Sequence, residues 1–217
     1  MAGQAVLPEF RTHHSALIIV SLRLSYTLLS PFYDLVADQA FRAGRRASLA
    51  ALPRENRGTV LINGIGTGLD LPYLPGGHRY VGLDLTRAML VRCRPRAGAH
   101  EFSAVQGDCL ALPFRDASFD HAVLHLILAI VPDAGRALAE TARVVRRGGA
   151  ILIFDKFLRR GQRAPLRRLI SPFAARMATR LDVVFEDALD RVPGLRVVSD
   201  MPAAAAGWFR AIRLEKT

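Results

Sequence analysis

Three glycines at alternate positions, Gly64, Gly66 and Gly68, lie in the stretch LINGIGTGLDLPYL, with Ile65 and Thr67 between them. Glycine takes left-handed and tightly turned backbone and has no Cβ to block a ligand, so this spacing suits a turn that lets main chain approach a bound group. A nucleotide-hydrolase phosphate loop needs lysine and then Ser or Thr at its last glycine, and no lysine lies near Gly68. The spacing is GxGxG, not the GxGxxG of a dinucleotide site. Two carboxylates follow. Asp84 comes about twenty residues after Gly64, at the end of the next apolar run, where a carboxylate can hold a ribose diol. Asp108, after Gly107, closes the third run and can accept a hydrogen bond from an exocyclic purine amine.

These groups need a scaffold that delivers strand ends to one edge. Apolar runs over Thr59–Ile62, Tyr80–Leu83, Phe102–Gln106, Phe119–Leu124 and Ala150–Phe154 read as strands. Helical stretches over Arg87–Arg94 and Ala134–Val145 alternate with them, the second closed by Arg146-Arg147-Gly148-Gly149. Such alternation predicts an α/β fold, a mostly parallel sheet with helices on both faces. Val183–Phe185, Leu195–Ser199 and Phe209–Leu214 read as later strands, the last two as an antiparallel hairpin at the sheet edge.

Length and composition bound the rest. A chain of 217 residues with 51% hydrophobic content builds one substantial core. Residues 54–217 read as that domain, and residues 1–53 as a helical cover: an apolar helix from Ser15 to about Leu29, a break at Ser30-Pro31, and a second helix from Phe32 to Leu52. The apolar run Ala16–Leu22 is interrupted by Arg23 and falls short of a membrane span, and no signal peptide is evident. Cys93 and Cys109 have neither disulfide density nor metal-ligand spacing, so no metal site is expected and a reducing, cytoplasmic setting is.

Formal net charge is +11, almost all of it arginine, since Lys156 and Lys216 are the only lysines. An anionic partner is therefore expected. From Arg159 to Arg180 there is no acid, while Leu166, Leu169, Ile170, Phe173, Met177 and Leu181 recur at helical spacing beside seven arginines, with Pro165 and Pro172 kinking the segment. A basic amphipathic segment of this kind, 159–181, suits an anionic membrane surface, with Arg163, Arg167, Arg168, Arg176 and Arg180 meeting phosphates. Nucleic acid is disfavoured: no Asn/Asp-Pro-Pro-Tyr motif and no aromatic-rich platform is visible.

Taken in order, Gly64-Ile65-Gly66-Thr67-Gly68, Tyr80-Val81-Gly82-Leu83-Asp84 with Met89-Leu90, Gly107-Asp108 with Leu112-Pro113-Phe114, Phe119-Asp120 and Arg147-Gly148-Gly149 resemble a class I S-adenosylmethionine-dependent methyltransferase. The resemblance runs from about Tyr33 to Leu158 and implies a Rossmann-like sheet and this cofactor, with S-adenosylhomocysteine as product. It assigns Gly64, Gly66 and Gly68 to the cradle around the methionine part, Asp84 to the ribose hydroxyls and Asp108 to the adenine amine, with Ile65, Thr67, Leu85, Met89, Gly107 and Cys109 also in the cofactor-binding set. It places a lid at the N-terminus, with Tyr26 and Tyr33 facing the acceptor. His125, just beyond the fourth strand, is the candidate base or acceptor partner, with Tyr33 beside it in the catalytic set and Asp155 in the acceptor set. One departure stands out: the family places Glu or Asp two residues before the first glycine, and this chain has Ile62, with Asn63 beside it. Asp70 is the candidate to compensate.

Finer features, Ser171-Pro172-Phe173-Ala174-Ala175, Phe185-Glu186, Pro202, Gly207-Trp208-Phe209 and Ile130-Val131-Pro132, look like the bacterial phospholipid N-methyltransferases that act on phosphatidylethanolamine. That resemblance implies a peripheral enzyme on the inner face of the membrane. The same pattern is shared with quinone C-methyltransferases and some small-molecule methyltransferases, and Ile62 keeps open a cofactor-binding protein with a degenerate site.

Overall fold

The computed structural model describes residues 41–53, 57–162, 180–204 and 207–217. The first 40 residues of the cover, with Tyr26 and Tyr33, lie outside the described residues, as does 163–179 with Arg163, Arg167, Arg168 and Arg176.

Seven strands form one sheet: β1 Thr59–Asn63, β2 Arg79–Asp84, β3 Glu101–Gln106, β4 His121–His125, β5 Ala150–Lys156, β6 Leu195–Ala204 and β7 Phe209–Lys216, in the order β3-β2-β1-β4-β5-β7-β6. The first five are parallel; β7 runs antiparallel between β5 and β6. β1, β4 and β5 are apolar almost throughout because helices cover both their faces. Strand order reverses between β1 and β4, which opens a crevice at their carboxyl ends, where ligands of such sheets bind.

One face is covered by helix α1 (41–49), a 3-10 turn at Leu71–Tyr73, helix α2 (Arg87–Cys93) and a second 3-10 turn at Arg94–Ala97. Leu49, Leu52, Ile62, Leu71, Tyr80, Leu90 and Cys93 make its core. α1 lies close on the sheet because Gly44 has no side chain: a Cβ there would stand 2.5 Å from the Phe154 ring. Phe41 packs edge-on to Phe154 and against Phe209, 4.5 Å between the latter ring centroids. The opposite face carries α3 (Ala134–Val144), capped by the Asp133 carboxylate accepting from the Arg136 amide, and α4 (Phe185–Leu189).

Two expected strands change. Val183–Phe185 is not a strand: Val184 makes a single bridge to Leu158, and Phe185 opens α4, whose first turn carries Glu186 and Asp187, acids that favour a helix N-terminus. Phe119 also falls outside β4 and makes only a single bridge, to Val145. Among the described residues no helix is long and apolar enough to cross a membrane.

Candidate active site

All three glycines of the turn have positive φ, +78°, +56° and +82° for Gly64, Gly66 and Gly68. The amides of Gly64 and Ile65 both donate to the Leu83 carbonyl at 2.9 Å, which ties the turn to the end of β2. The glycines are needed for different reasons. A Cβ on Gly64 would meet Ile127 at 2.6 Å, and one on Gly68 would meet Cys93 and Leu71 at 2.8 Å, so these two permit close packing. A Cβ on Gly66 meets nothing within 4 Å: that glycine faces open space. The Asp84 carboxylate borders it, one oxygen accepting from the Gly66 amide at 2.9 Å and the other from the Thr86 amide and hydroxyl. Burial raises the Asp84 pKa, and these bonds pull it back.

Asp108 stands on the same edge. β2 and β3 run in register to Asp84 and Gln106, and the Gly107 amide donates to the Asp84 carbonyl at 3.0 Å. The Asp108 carboxylate accepts from the Leu110 amide through one oxygen, at 2.8 Å. Met89 is buried beneath this edge, while Leu85 and Cys109 are half-buried, the Cys109 thiol pushed up to about 12 by burial and by Asp108. Thr67 is buried and its carbonyl accepts from Arg96.

His125 is not exposed at this edge. Its ring is buried, Nδ1 lies 2.8 Å from Asp70 Oδ1 and Nε2 2.9 Å from Ser48 Oγ. With Asp70 ionised, Nδ1 donates to its carboxylate, and Nε2 shares a hydrogen bond with the Ser48 hydroxyl. The Arg45 guanidinium donates to the same Asp70 oxygen at 2.8 Å. Burial opposes the charge on Asp70, but His125 and Arg45 outweigh it and hold the carboxyl well below the usual range. Serine, histidine and aspartate in a row match the connectivity of a hydrolase triad, yet Ser48 is buried and the aspartate is held by an arginine. The network instead joins α1, the residue two beyond Gly68 and the end of β4. Arg45 and Ser48 were invisible as site residues from sequence because their link to Asp70 and His125 spans 25 to 77 positions.

Asp155 lies deeper than the edge. It is fully buried, its oxygens accept from the Ala129 and Lys156 amides, and burial raises its pKa, so it pins the turn after β4. That turn is sharp: Leu126 is a non-glycine residue at φ +57°, its amide bonded to the Phe154 carbonyl. Leu126, Ile127 and Ile130 are half-buried there. The Arg180 amide donates to the Ala129 carbonyl at 2.7 Å, and its guanidinium pairs with Asp182.

Residues 61–153 match the family described as "Methyltransferase domain". The phosphatidylethanolamine N-methyltransferase of Cereibacter sphaeroides is 31% identical over 85% of this chain and 92% of its own length. The chain belongs to the class I S-adenosylmethionine-dependent methyltransferases. The demethylmenaquinone methyltransferase of Thermobifida fusca is 36% identical over 60% of the chain, which spans 56% of that relative's length. A chain of the complex between the Haloferax volcanii Trm112 activator and a methyltransferase has the same fold at a TM-score of 0.72 and 18% identity, covering 89% of this chain and 96% of that one.

As a methyltransferase the enzyme uses S-adenosylmethionine, and the open space over Gly66, edged by Asp84, suits an adenosine-bearing ligand. The family's acid before the turn is replaced by buried Ile62, packed in the same cluster as Leu49 and Leu52. Asn63 points to the other face, donating to the Thr141 hydroxyl at 3.0 Å, and among the described residues its buried Oδ1 has no partner. Asp70 is engaged by Arg45 and His125 through one oxygen.

Proposed function

We propose that the enzyme methylates a lipid-like acceptor carried to the carboxyl edge of β1 and β4. The observation behind this reading is the apolar wall of Leu126, Ile127 and Ile130 where β4 ends, next to the glycine turn. Asp84 takes the ribose hydroxyls, Asp108 the adenine amine through its second oxygen, and the main chain at Gly66 lies beneath the methionine part. When bound, S-adenosylmethionine supplies a methyl group on a sulfonium, so the protein's task is alignment of the acceptor and exclusion of water. His125 serves as a positioning residue, because both its nitrogens are engaged.

Two acceptors fit. Several demethylmenaquinone and ubiquinone methyltransferases, at 32–36% identity over the core, support a quinone precursor. A phosphatidylethanolamine N-methyltransferase, matched along nearly its whole length, supports a headgroup amine, which must be neutral to attack. Incubation with methyl-labelled cofactor, phosphatidylethanolamine and a demethylmenaquinone side by side separates them by where label accumulates. Label in neither, nor in any component of a total bacterial lipid extract, would sink the lipid-like acceptor altogether.

A further inference from the structure

The net charge is unevenly placed. Residues 41–53 and 57–100, which supply α1, α2 and the two 3-10 turns of one face together with β1 and β2, carry nine arginines and two acids. Both acids are occupied, Asp70 in the buried network and Asp84 in the glycine turn. Residues 101–162 and 180–217 carry fourteen lysines and arginines and thirteen acids. There the arginines are largely tied down: Arg143 by Glu140 and Asp116, Arg160 by Asp187 and Asp190, Arg191 by Asp133, Arg196 by Glu215. Even Arg159 and Arg180, at the ends of the segment expected to meet phosphates, pair with Asp200 and Asp182. A general bias toward arginine accounts for many arginines. It does not account for so few acids among the described residues of one face.

On that face α2 is the most exposed element. Arg87, Val91 and Arg94 recur at four- and three-residue spacing and share a stripe, with Arg92 on its flank. Val91 is 60% exposed, and among the described residues none of the three arginines is in an ion pair. Arg46 of α1 lies over the Tyr73 ring, 4.8 Å away, on the same face. α2 begins three residues after Asp84, so the stripe starts at the edge that holds the cofactor turn.

We propose that this α1–α2 face docks the enzyme on an anionic lipid bilayer, with Arg87, Arg92 and Arg94 meeting lipid phosphates and Val91 entering the headgroup layer. A cationic face with an apolar side chain between its charges is what such a surface attracts. The proposal deepens the lipid-like acceptor reading, because docking here brings the open edge over Gly66 close to the bilayer, but its support is charge placement and not the identity of the acceptor. A nucleic acid is the poorer occupant, since Tyr73, a half-buried aromatic of this face, is already covered by Arg46.

The test is co-sedimentation of the full chain with vesicles of phosphatidylcholine alone and of equal parts phosphatidylcholine and phosphatidylglycerol. Binding is expected for the anionic vesicles only. Arg92→Gln/Arg94→Gln should weaken it roughly twenty- to thirty-fold, at about fivefold per arginine. Arg115→Gln/Arg147→Gln, the same charge change at exposed positions off this face, should weaken it much less. Affinity for S-adenosylhomocysteine, measured by calorimetry, should be unchanged in both variants, which shows each folded; loss of that affinity in the unmodified protein would strike at the methyltransferase site and leave the vesicle result readable. Equal losses from the two variant pairs, equal binding to neutral vesicles, or binding to duplex RNA but not to anionic vesicles at the same salt would overturn the proposal.

Discussion

Gly66 and Gly64 share a positive φ but differ in what stands above them, and that difference separates two kinds of damage. Gly66→Val places a side chain in open space at φ +56°, so it fills the ligand's volume and adds backbone strain. Its affinity for S-adenosylhomocysteine by calorimetry should fall at least ~10-fold, with a strain cost of ~1–3 kcal/mol. Gly64→Ala drives a methyl into Ile127, so the expected loss is first in thermal stability. His125 gives a second contrast. A general base would lose orders of magnitude in turnover on replacement, on the order of 10²–10⁴-fold. As a positioning residue that holds Asp70 and Ser48, His125→Asn should lower the unfolding midpoint while the folded fraction keeps turnover within about one order of magnitude, far short of that loss. Turnover corrected for folded protein, at several pH values, decides between the two. Leaving Arg45 without its carboxylate, in Asp70→Asn, is the harsher change, on the order of 3–5 kcal/mol.

At the scale of elements, the amino edge of the sheet holds a buried histidine pair. His121 of β4 accepts the Ala150 amide of β5 at Nδ1, and His78 accepts the Gly58 amide and meets the Pro53 carbonyl. Burial, and after it His78, lowers the His121 pKa from 6.5 to about 4, with Arg146 and Arg213 acting in the same direction and Asp120 against. In the window between those values the unfolded chain binds a proton that the folded chain refuses. Stability is therefore full above the unfolded value and is lost as pH falls through the window, with a slope approaching about 1.4 kcal/mol per pH unit from this group. Denaturant unfolding from pH 7 to pH 4 should show that slope, and His121→Gln, which keeps an acceptor but does not titrate, should flatten it. The element most misjudged from sequence, Val183–Phe185, shows how short apolar runs mislead: three β-formers in a row are equally a helix start when two acids follow.

For the whole molecule, a ligand that binds only the folded chain stabilises it by mass action. S-adenosylhomocysteine at about 100 times its dissociation constant should add about 2.7 kcal/mol. In a chain of this size that is a rise of roughly 5–10 °C in the unfolding midpoint. A flat midpoint across a titration would mean that Ile62 has cost the site its cofactor. The same scale holds the charge asymmetry between the two faces, which a net charge of +11 does not disclose, because the value is blind to which helices share a layer.

Much of the candidate cofactor edge is legible in the sequence for a local reason. The glycine turn, Asp84 and Asp108 each sit at the end of their own strand, and a parallel sheet carries all such ends to one side. Hydrophobic runs and turn chemistry within a few residues were therefore enough to place them. What His125 and Asp155 do was decided only by packing across the sheet. Whether a side chain near the edge faces a ligand or a neighbour depends on which distant groups compete for its hydrogen bonds, Ser48 and Asp70 in one case and the Ala129 amide in the other. Those competitors arrive through the folded chain, and no spacing along it announces them.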